Sequence, residues 1–92
     1  MSAIPNKFSP RKPIVRATNG IGWAIFRMQE GLAVRRAGWN GKGMYLMIQF
    51  PDEESANTLP YVWIRTVTGD RVPWLCSQTD LLSNDWEVAD DK

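Results

Sequence analysis

Histidine is absent from the 92-residue chain, and cysteine occurs once, at Cys76. The absence of histidine excludes the commonest general base, the commonest metal ligand and every catalytic triad that contains histidine. A single cysteine excludes a disulfide bond within the chain, and this usage fits a reducing cytoplasm. We therefore expect a cytoplasmic protein that holds no metal and needs no cofactor.

Long apolar runs and a strong net charge are missing as well. No segment approaches the length of a membrane span, and the N-terminus lacks the apolar core of a signal peptide. The net charge is +1, with four of the eleven basic residues and no acidic residue in positions 1–18. The remaining positions carry seven basic and ten acidic residues. A mildly acidic folded part argues against nucleic acid as a partner, and we expect no membrane partner either.

Tryptophan, by contrast, is abundant, with five in the chain. Each brings a large apolar surface and one N–H group that needs a hydrogen-bond acceptor. Some must fill the core, but five exceed what a small core absorbs, so we expect one or two in a ligand pocket or a subunit interface. A domain of about 70 ordered residues without a disulfide also has a marginal core. Oligomerisation is therefore expected.

The chain is predicted to fold as one domain at residues 19–89, between two less ordered ends. Residues 1–18 contain three prolines among scattered basic residues, and we interpret them as a flexible arm. A solvated tail is the favoured interpretation, and a basic arm that touches a partner is the alternative. Residues 90–92 are predicted to fray.

Two helices are predicted from apolar spacing and capping residues. The first runs from Asn19 to Glu30, with Thr18 or Asn19 as its cap and Gly31 as its left-handed end. Its apolar positions with helical spacing are Ile21, Ala24, Ile25 and Met28. The second is short and opens at Ser77, with Asp80 three residues on as in a capping box. Its buried side is predicted to consist of Leu81 and Leu82.

The stretch from Ala33 to Gln49 is predicted to form a β-hairpin. Its strands are expected near Ala33–Trp39 and Met44–Gln49. The dipeptide Asn40-Gly41 lies between them, and it favours a tight primed turn with positive φ at both central residues. Pro51 is expected to end the second strand.

Three more strands complete the predicted fold. Tyr61 to Val67 alternates between two faces, and a turn at residues 68–70 leads into a short strand at Arg71–Trp74. Pro73 cannot donate to a ladder, so this strand is expected at an edge. Trp86–Val88 forms the last strand. The result is an α+β domain with an antiparallel sheet of four to five strands, an N-terminal helix and a short second helix before the last strand.

Catalysis finds little support among the side chains. Cys76 has no histidine to deprotonate it and is expected to be a small core residue. The acidic segment Asp52–Glu54 is interpreted as a solvated loop, since it lacks the spacing of a calcium loop. No nucleophile, base and orienting group can be assembled, so we expect a protein that is not an enzyme.

Two segments favour an anionic or nucleotide ligand. The glycine-rich turn with Lys42 presents backbone N–H groups and an ammonium that can converge on phosphate, although a bare hairpin turn is the favoured interpretation of this segment taken alone. Trp74 is followed by the polar helix start Ser77–Asp80, and an aromatic platform beside such a start is a plausible nucleotide site. A capped helix packed on a core tryptophan is the alternative for this segment.

Several blocks of the sequence resemble a family of small phage and prophage proteins, the Thoeris anti-defense 2 family. The blocks are Gly22-x-Ala24-Ile25, Arg36-Ala37-Gly38-Trp39-Asn40-Gly41-Lys42-Gly43-Met44, Leu59-Pro60-Tyr61, Pro73-Trp74-Leu75-x-Ser77-Gln78-Thr79-Asp80-x-Leu82 and Asp85-Trp86. The two longest blocks, in this order, are specific for so short a chain. The resemblance runs from about residue 21 to residue 88, and residues 1–17 lie outside it.

The resemblance implies a phage anti-defence protein in the cytoplasm of an infected bacterium. Such proteins bind a cyclic nucleotide immune signal, a cyclic ADP-ribose isomer or in some relatives a cyclic dinucleotide, and sequester it without degrading it. It also implies a homotetramer with ligand pockets between protomers. One relative is described as an anti-CRISPR protein, so a protein–protein inhibitor of a defence complex is the alternative function.

The residues carried over from the family's motifs have distinct expected roles. The tryptophans are expected to stack on bases, the cations to meet phosphate, and the remaining polar groups to bond base edges and riboses. The predicted ligand-binding residues are Trp39, Asn40, Lys42, Arg65, Trp74, Ser77, Gln78, Thr79 and Asp80.

Overall fold

The structure, a computed structural model, describes residues 19–90. The proposed arm at residues 1–18 and the end of the chain at residues 91–92 lie outside the described residues. The helices are α1 (Ile21–Gln29) and α2 (Gln78–Leu81). The strands are β1 (Val34–Arg36), β2 (Tyr45–Gln49), β3 (Tyr61–Arg65), β4 (Arg71–Pro73) and β5 (Trp86–Val88). Neither helix of the described part is long and apolar enough to cross a membrane.

All five strands form one antiparallel sheet in the order β4-β3-β2-β1-β5. This confirms the predicted α+β class, the two helices around the sheet and the edge position of β4. Strand β5 pairs with β1 and forms the edge of the sheet opposite β4. The loop after β1 and the start of β5 are thereby brought to the same end of the sheet.

The hydrophobic core lies between α1 and one face of the sheet. Val34, Leu46 and Ile64 occupy neighbouring register positions on this face. Ala24 and Met28 of α1 are buried against it, as the helical spacing predicted. The fully buried cluster consists of Ala24, Met28, Val34, Leu46 and Trp86. The predicted apolar face of α1 was wrong at one position, since Ile25 is 40% exposed.

The opposite face of the sheet carries its own aromatic contact. Trp63, on the face of β3 away from α1, is buried beneath Arg71, whose guanidinium carbon lies 4.9 Å from the ring centre. Tyr45 of β2 lies 5.9 Å from the same ring between centroids. One of the five tryptophans is therefore shielded by a cation–π contact and takes no part in the α1 core.

The start of α1 is anchored differently from the prediction. Gly20 is the N-cap and no side chain caps the helix, so the expected cap by Thr18 or Asn19 was wrong. Asn19 is instead engaged by β5: its Nδ2 donates to the Trp86 carbonyl at 3.1 Å, and the Trp86 N–H donates to the Asn19 carbonyl at 3.1 Å. These paired bonds take the asparagine away from the helix end.

The C-terminus of α1 forms as predicted. Gly31 has a φ of +92°, its N–H donates to the Met28 carbonyl at 2.9 Å, and the Leu32 N–H donates to the Arg27 carbonyl at 3.2 Å. This pair of bonds is the Schellman arrangement, which needs a left-handed residue after the helix. Glycine is the residue that adopts it without steric cost.

Gly31→Ala is expected to lower the free energy of unfolding by about 1–2 kcal/mol, the cost of placing a Cβ in the left-handed region. Gly22→Ala is the matched control on the same helix, because a Cβ there meets nothing within 4 Å. It is expected to stabilise the protein by roughly 0.5 kcal/mol through helix propensity. Urea unfolding followed by circular dichroism measures both, and equal effects of the two substitutions would contradict this account of Gly31.

The hairpin between β1 and β2 is the main departure from the predicted fold. Its strands are shorter than expected and share the single register pair Val34↔Leu46, so residues 37–44 form a long connection. The tight primed turn at Asn40-Gly41 was wrong, since the positive-φ residues of the described chain are Gly31, Gly43 and Gly69. Gly41 is needed for a different reason: a Cβ there would collide with the side chains of Met44 and Val67.

Candidate functional site

Three tryptophans meet at the end of the sheet where β1 stops and β5 begins. Trp39 and Trp74 each contact Trp86 in a T-shaped arrangement, with ring centroids 5.4 Å and 6.0 Å from it. Trp86 is buried, whereas Trp39 and Trp74 are half-buried. The two tryptophans predicted for the site thus flank a third that the sequence interpretation left outside it.

The Asp80 carboxylate is turned inward, toward the tryptophans. Its Oδ1 accepts hydrogen bonds from the Trp39 indole Nε1 at 3.1 Å and from Arg36 Nη1 at 2.8 Å. The Asp80 carbonyl accepts a third bond, from the Trp86 indole Nε1 at 3.3 Å. Desolvation by burial raises the pKa of the Asp80 carboxyl, but the bonds from Arg36 and Trp39 lower it more, and the net shift is downward.

A second carboxylate, Asp85, holds the other side of the Arg36 guanidinium. Arg36 Nε and Nη2 donate to its two oxygens at 2.8 Å and 3.3 Å. The Gly38 N–H also donates to Asp85 Oδ2 at 2.8 Å. The bond to Arg36 lowers the pKa of Asp85, and the bonds to Asp85 and Asp80 raise the pKa of Arg36. All three groups are therefore charged at neutral pH.

An open groove of about 310 Å³ lies between the long connection and the paired strands β1 and β5. Asn40 and Lys42 line it, so the structure places two more predicted site residues at the groove. Arg35 and Glu87 also line the groove, and Arg35 Nε donates a hydrogen bond to Glu87 Oε2 at 2.8 Å. The full lining is Arg35, Arg36, Ala37, Trp39, Asn40, Gly41, Lys42, Gly43, Met44 and Glu87.

Arg65 lies outside the groove lining. Its Nη1 donates to the Gly43 carbonyl at 3.0 Å. A Cβ at Gly69 would come within 3.4 Å of its Nη2, so the guanidinium is also close to the β3–β4 turn. Arg65 therefore holds the connection at Gly43, just before β2, and does not line the groove with Trp39 and Lys42.

Helix α2 presents the remaining predicted site residues on an exposed surface. Ser77 caps it as expected, accepting the Asp80 N–H at 3.0 Å, while Gln78 and Thr79 are exposed. The predicted buried side was wrong: Leu81 and Leu82 are 40% and 75% exposed. The helix has one turn, and its inward contact is made by the Asp80 side chain instead of a leucine face.

Cys76 was also predicted wrongly, since it is exposed and not a core residue. Partial desolvation, with the charge of Asp80 second, raises the pKa of its thiol. A raised pKa keeps the sulfur protonated, which is opposite to what an activated nucleophile needs.

The acidic loop after β2 is closed on itself. Asp52 Oδ1 accepts from the Glu54 N–H at 2.9 Å and from Ser55 Oγ at 3.1 Å. Within residues 19–90, no group of three or more histidine, cysteine, aspartate or glutamate side chains has a geometry that could hold a metal ion. The interpretation as a solvated loop fits this geometry.

Arg36, Asp85, Glu87 and Trp86 are the site residues that sequence reasoning missed. Two signals could have found some of them, because Arg36 begins the long motif block and Asp85-Trp86 forms a block of its own. Their partners lie 44 and 49 positions away along the chain, so spacing alone gives no hint of the contacts. Glu87 carried no sequence signal.

Comparison with known proteins gives a family match and a similar phage protein. The family model described as Thoeris anti-defense 2-like domain matches residues 19–89. A protein named Thoeris anti-defense 2, from Bacillus phage SP01, is 31% identical over 81 residues, covering 74% of this chain and 91% of the relative. The family match over residues 19–89 contains every helix and strand of the described fold and all residues of the candidate site. The chain belongs to the Thoeris anti-defense 2-like family.

Proposed function

We propose that this protein is a phage anti-defence protein that binds a cyclic nucleotide immune signal and sequesters it intact. Membership in the Thoeris anti-defense 2-like family supports the anti-defence role. The observation that carries the binding mechanism is the meeting of Trp39 and Trp74 around Trp86, beside a groove lined by Lys42. The ligand classes proposed are a cyclic ADP-ribose isomer and, second, a cyclic dinucleotide.

The aromatic part of the site suits a nucleobase. A T-shaped contact engages at most one face of each ring, so half-buried Trp39 and Trp74 both keep surface that a base can cover. The indole N–H of Trp39 is already bonded to Asp80, which fixes the plane of that ring. A ring held in place loses little conformational freedom when a base stacks on it, and this favours affinity.

The groove supplies the polar contacts that the rest of a nucleotide needs. Lys42 is an exposed cation on its rim, and the glycine-rich backbone at residues 41–43 lets a phosphate approach closely. Glu87, which also lines the groove, accepts from Arg35 through Oε2 and has further acceptor capacity for ribose hydroxyls. Cation, backbone and carboxylate in one groove favour a ligand with phosphate and sugar, beyond a simple anion.

Binding without turnover is the mechanism proposed. The two carboxylates nearest the tryptophans, Asp80 and Asp85, are both held by Arg36, and their lowered pKa values oppose a role as general acid. The raised pKa of Cys76 opposes a role as nucleophile. Asp80, Asp85 and Cys76 therefore supply neither a general acid nor an activated nucleophile.

A homo-oligomer, with a tetramer favoured, is proposed as the binding form. The groove is open in one protomer, and exposed apolar side chains lie beside Trp74 and α2. Leu75 and Leu82 are 89% and 75% exposed. A second protomer over this surface would bury these leucines and enclose a ligand that one protomer holds only on one side.

The direct test is recovery of the ligand from the protein. The protein is incubated with cyclic ADP-ribose isomers and cyclic dinucleotides, separated from free ligand, denatured by heat, and the released material is analysed by mass spectrometry. We expect one member of the panel to be depleted from solution and returned intact after denaturation. Return of a cleaved product would mean an enzyme, and binding of no member would refute sequestration.

An inhibitor that binds a protein of a defence complex is the second candidate. It is favoured by one observation, the exposed leucines beside Trp74, which could form a protein contact surface. An inhibitor of this kind would bind no member of the nucleotide panel and would form a stable complex with its target. The same ligand-recovery experiment therefore separates the two functions.

A further inference from the structure

We propose that Arg36 is a positioning residue, which ties Asp80 and Asp85 together and thereby holds Trp39 in the orientation that the ligand site requires. The inference rests on the proposed function for its consequence in binding, but its structural part can be tested without any ligand. Neither the family's name nor its model assigns a role to Arg36. In this proposal, Asp80 and Asp85 are the two acceptors that hold the Arg36 guanidinium.

Arg36 is the last residue of β1, and its guanidinium joins two segments far from it in sequence. Three N–H groups are used: Nη1 on Asp80 at 2.8 Å, and Nε and Nη2 on Asp85 at 2.8 Å and 3.3 Å. Asp80 belongs to α2 and Asp85 directly precedes β5. The side chains of Arg36 and Asp80 are only 15% and 14% exposed, so this ion pair is well shielded from water.

The first three residues of the connection all depend on this cluster. The Ala37 N–H donates to the Asp85 carbonyl at 2.9 Å, and the Trp39 N–H donates to the Arg36 carbonyl at 3.1 Å. Between them, the Gly38 N–H donates to the Asp85 carboxylate at 2.8 Å. The backbone is therefore fixed on both sides of Gly38 before the chain reaches the groove.

Gly38 shows how closely the backbone passes the ion pair. A Cβ at this position would lie 2.8 Å from Asp85 Oδ2 and 3.1 Å from Arg36 Nη2. A Cβ there would displace either the connection or the paired ends of the Asp85 and Arg36 side chains. The close approach explains why this position of the motif block carries a glycine although its φ is not in the left-handed region.

The Trp39 ring is then set by sharing an acceptor with Arg36. Asp80 Oδ1 receives both Arg36 Nη1 and Trp39 Nε1. If the guanidinium is lost, the carboxylate is free to turn to water and the indole N–H loses a fixed partner. The ring then samples orientations that cannot stack on a base. The apparent affinity falls in proportion to the fraction of molecules whose ring keeps the stacking orientation.

Arginine is needed here because its planar fork can face two carboxylates at once. A lysine at this position keeps the positive charge but has one ammonium, which can serve Asp80 or Asp85 well but not both with this geometry. Arg36→Lys therefore separates charge from positioning. Asp80→Asn is the second variant, since it keeps the shape of the side chain and removes the charge on the shared acceptor.

The test reads the Trp39 indole directly. In a proton–nitrogen correlation spectrum, the Trp39 signal is assigned with Trp39→Phe, and its hydrogen exchange is compared in the protein, Arg36→Lys and Asp80→Asn. We expect its exchange to accelerate by about tenfold or more in both variants, since Arg36→Lys leaves the Asp80 acceptor without its anchor and Asp80→Asn leaves a weaker, uncharged acceptor. Affinity for cyclic ADP-ribose and cyclic di-GMP, whichever probe binds, is expected to fall by about tenfold as well.

Arg27→Lys is the matched control, because Arg27 is paired with Glu30 on α1 at 3.2 Å, away from the groove. It is expected to change neither the Trp39 signal nor the affinity. Unchanged Trp39 exchange in Arg36→Lys and Asp80→Asn would overturn the proposal, as would global unfolding of both variants, which would make the cluster a stability element. If the unaltered protein binds neither probe, the nucleotide proposal fails, while the exchange rates still decide the role of Arg36.

Discussion

Trp86→Ala is expected to lower the free energy of unfolding by about 3–5 kcal/mol, the usual cost of truncating a fully buried tryptophan. Trp86 is 1% exposed and is the largest fully buried side chain of the described residues. It contacts the α1 core cluster and both Trp39 and Trp74. A domain of this size has a total stability of roughly 5–10 kcal/mol, so this substitution removes about a third of it or more.

The bond from the Trp86 indole to the Asp80 carbonyl adds a polar component to this loss. Trp86→Phe is the matched control, because it keeps an aromatic ring and removes the N–H that donates to Asp80 at 3.3 Å. We expect it to cost about 1–2 kcal/mol, from the lost indole bond and the smaller ring, while the Asp80 carbonyl keeps the bond from the Ser83 N–H at 3.4 Å. Urea unfolding monitored by far-ultraviolet circular dichroism gives both values. A loss below about 1 kcal/mol for Trp86→Ala would show that the neighbours collapse into the space and that Trp86 does not hold the site together.

The parts of the fold that the sequence predicted are those governed by local chemistry or strong periodicity. Ala24 and Met28 followed from helical spacing, and Gly31 followed from the geometry of a helix end. The alternation of β3 predicted that its residues divide between two faces of the sheet, and Pro73 predicted that β4 lies at an edge. In each case the physical cause lies within a few residues of the feature.

The connection at residues 37–44 could not be predicted in this way, because distant residues shape it. Asn40-Gly41 has a strong local preference for a tight turn, but Asp85 holds the backbone at Gly38 and Arg65 holds the carbonyl of Gly43. These contacts span 47 and 22 positions of the chain. Several tertiary hydrogen bonds outweigh the preference of one dipeptide, as local propensity is worth about 1 kcal/mol or less.

Helix α2 was misjudged for a related reason. A helix of one turn has no apolar periodicity to interpret, so its two leucines were assigned to a core that lies elsewhere. The inward position is occupied by Asp80, whose partners Arg36 and Trp39 lie 44 and 41 positions away. A charged residue faces inward here because a guanidinium and an indole N–H await it, which sequence spacing cannot reveal.

The candidate site, like the fold, could be predicted from the sequence only in part. Motif resemblance brought Trp39, Lys42 and Trp74 into one hypothesis, and in the structure the rings of Trp39 and Trp74 both contact Trp86, while Trp39 and Lys42 line the groove. Asp80 was expected to face a ligand, but two internal donors already occupy one of its carboxylate oxygens. The resemblance identified which residues matter without separating ligand contacts from the groups that position them.

Trp74→Ala is expected to weaken binding of the cyclic nucleotide by about tenfold to a hundredfold, the range of one lost base-stacking contact. The fold should tolerate the change, because Trp74 is half-buried and its backbone N–H still donates to the Val62 carbonyl at 3.0 Å. Isothermal titration calorimetry with the panel member recovered by heat release measures the loss. Native mass spectrometry in parallel reports whether the oligomer persists.

Trp23→Ala is the matched control for this loss of affinity. Trp23 is likewise half-buried and packs against the core, but it lies on α1, where its ring centre is 5.8 Å from the Arg27 guanidinium carbon, whereas the Trp74 ring contacts Trp86. Its removal should cost comparable stability while affinity stays within about twofold, since uncoupled sites act independently. If Trp74→Ala and Trp23→Ala weaken binding equally, the effect comes from general destabilisation. If Trp74→Ala instead dissolves the oligomer and leaves protomers that bind no nucleotide, Trp74 belongs to the protein interface and the stacking assignment is wrong.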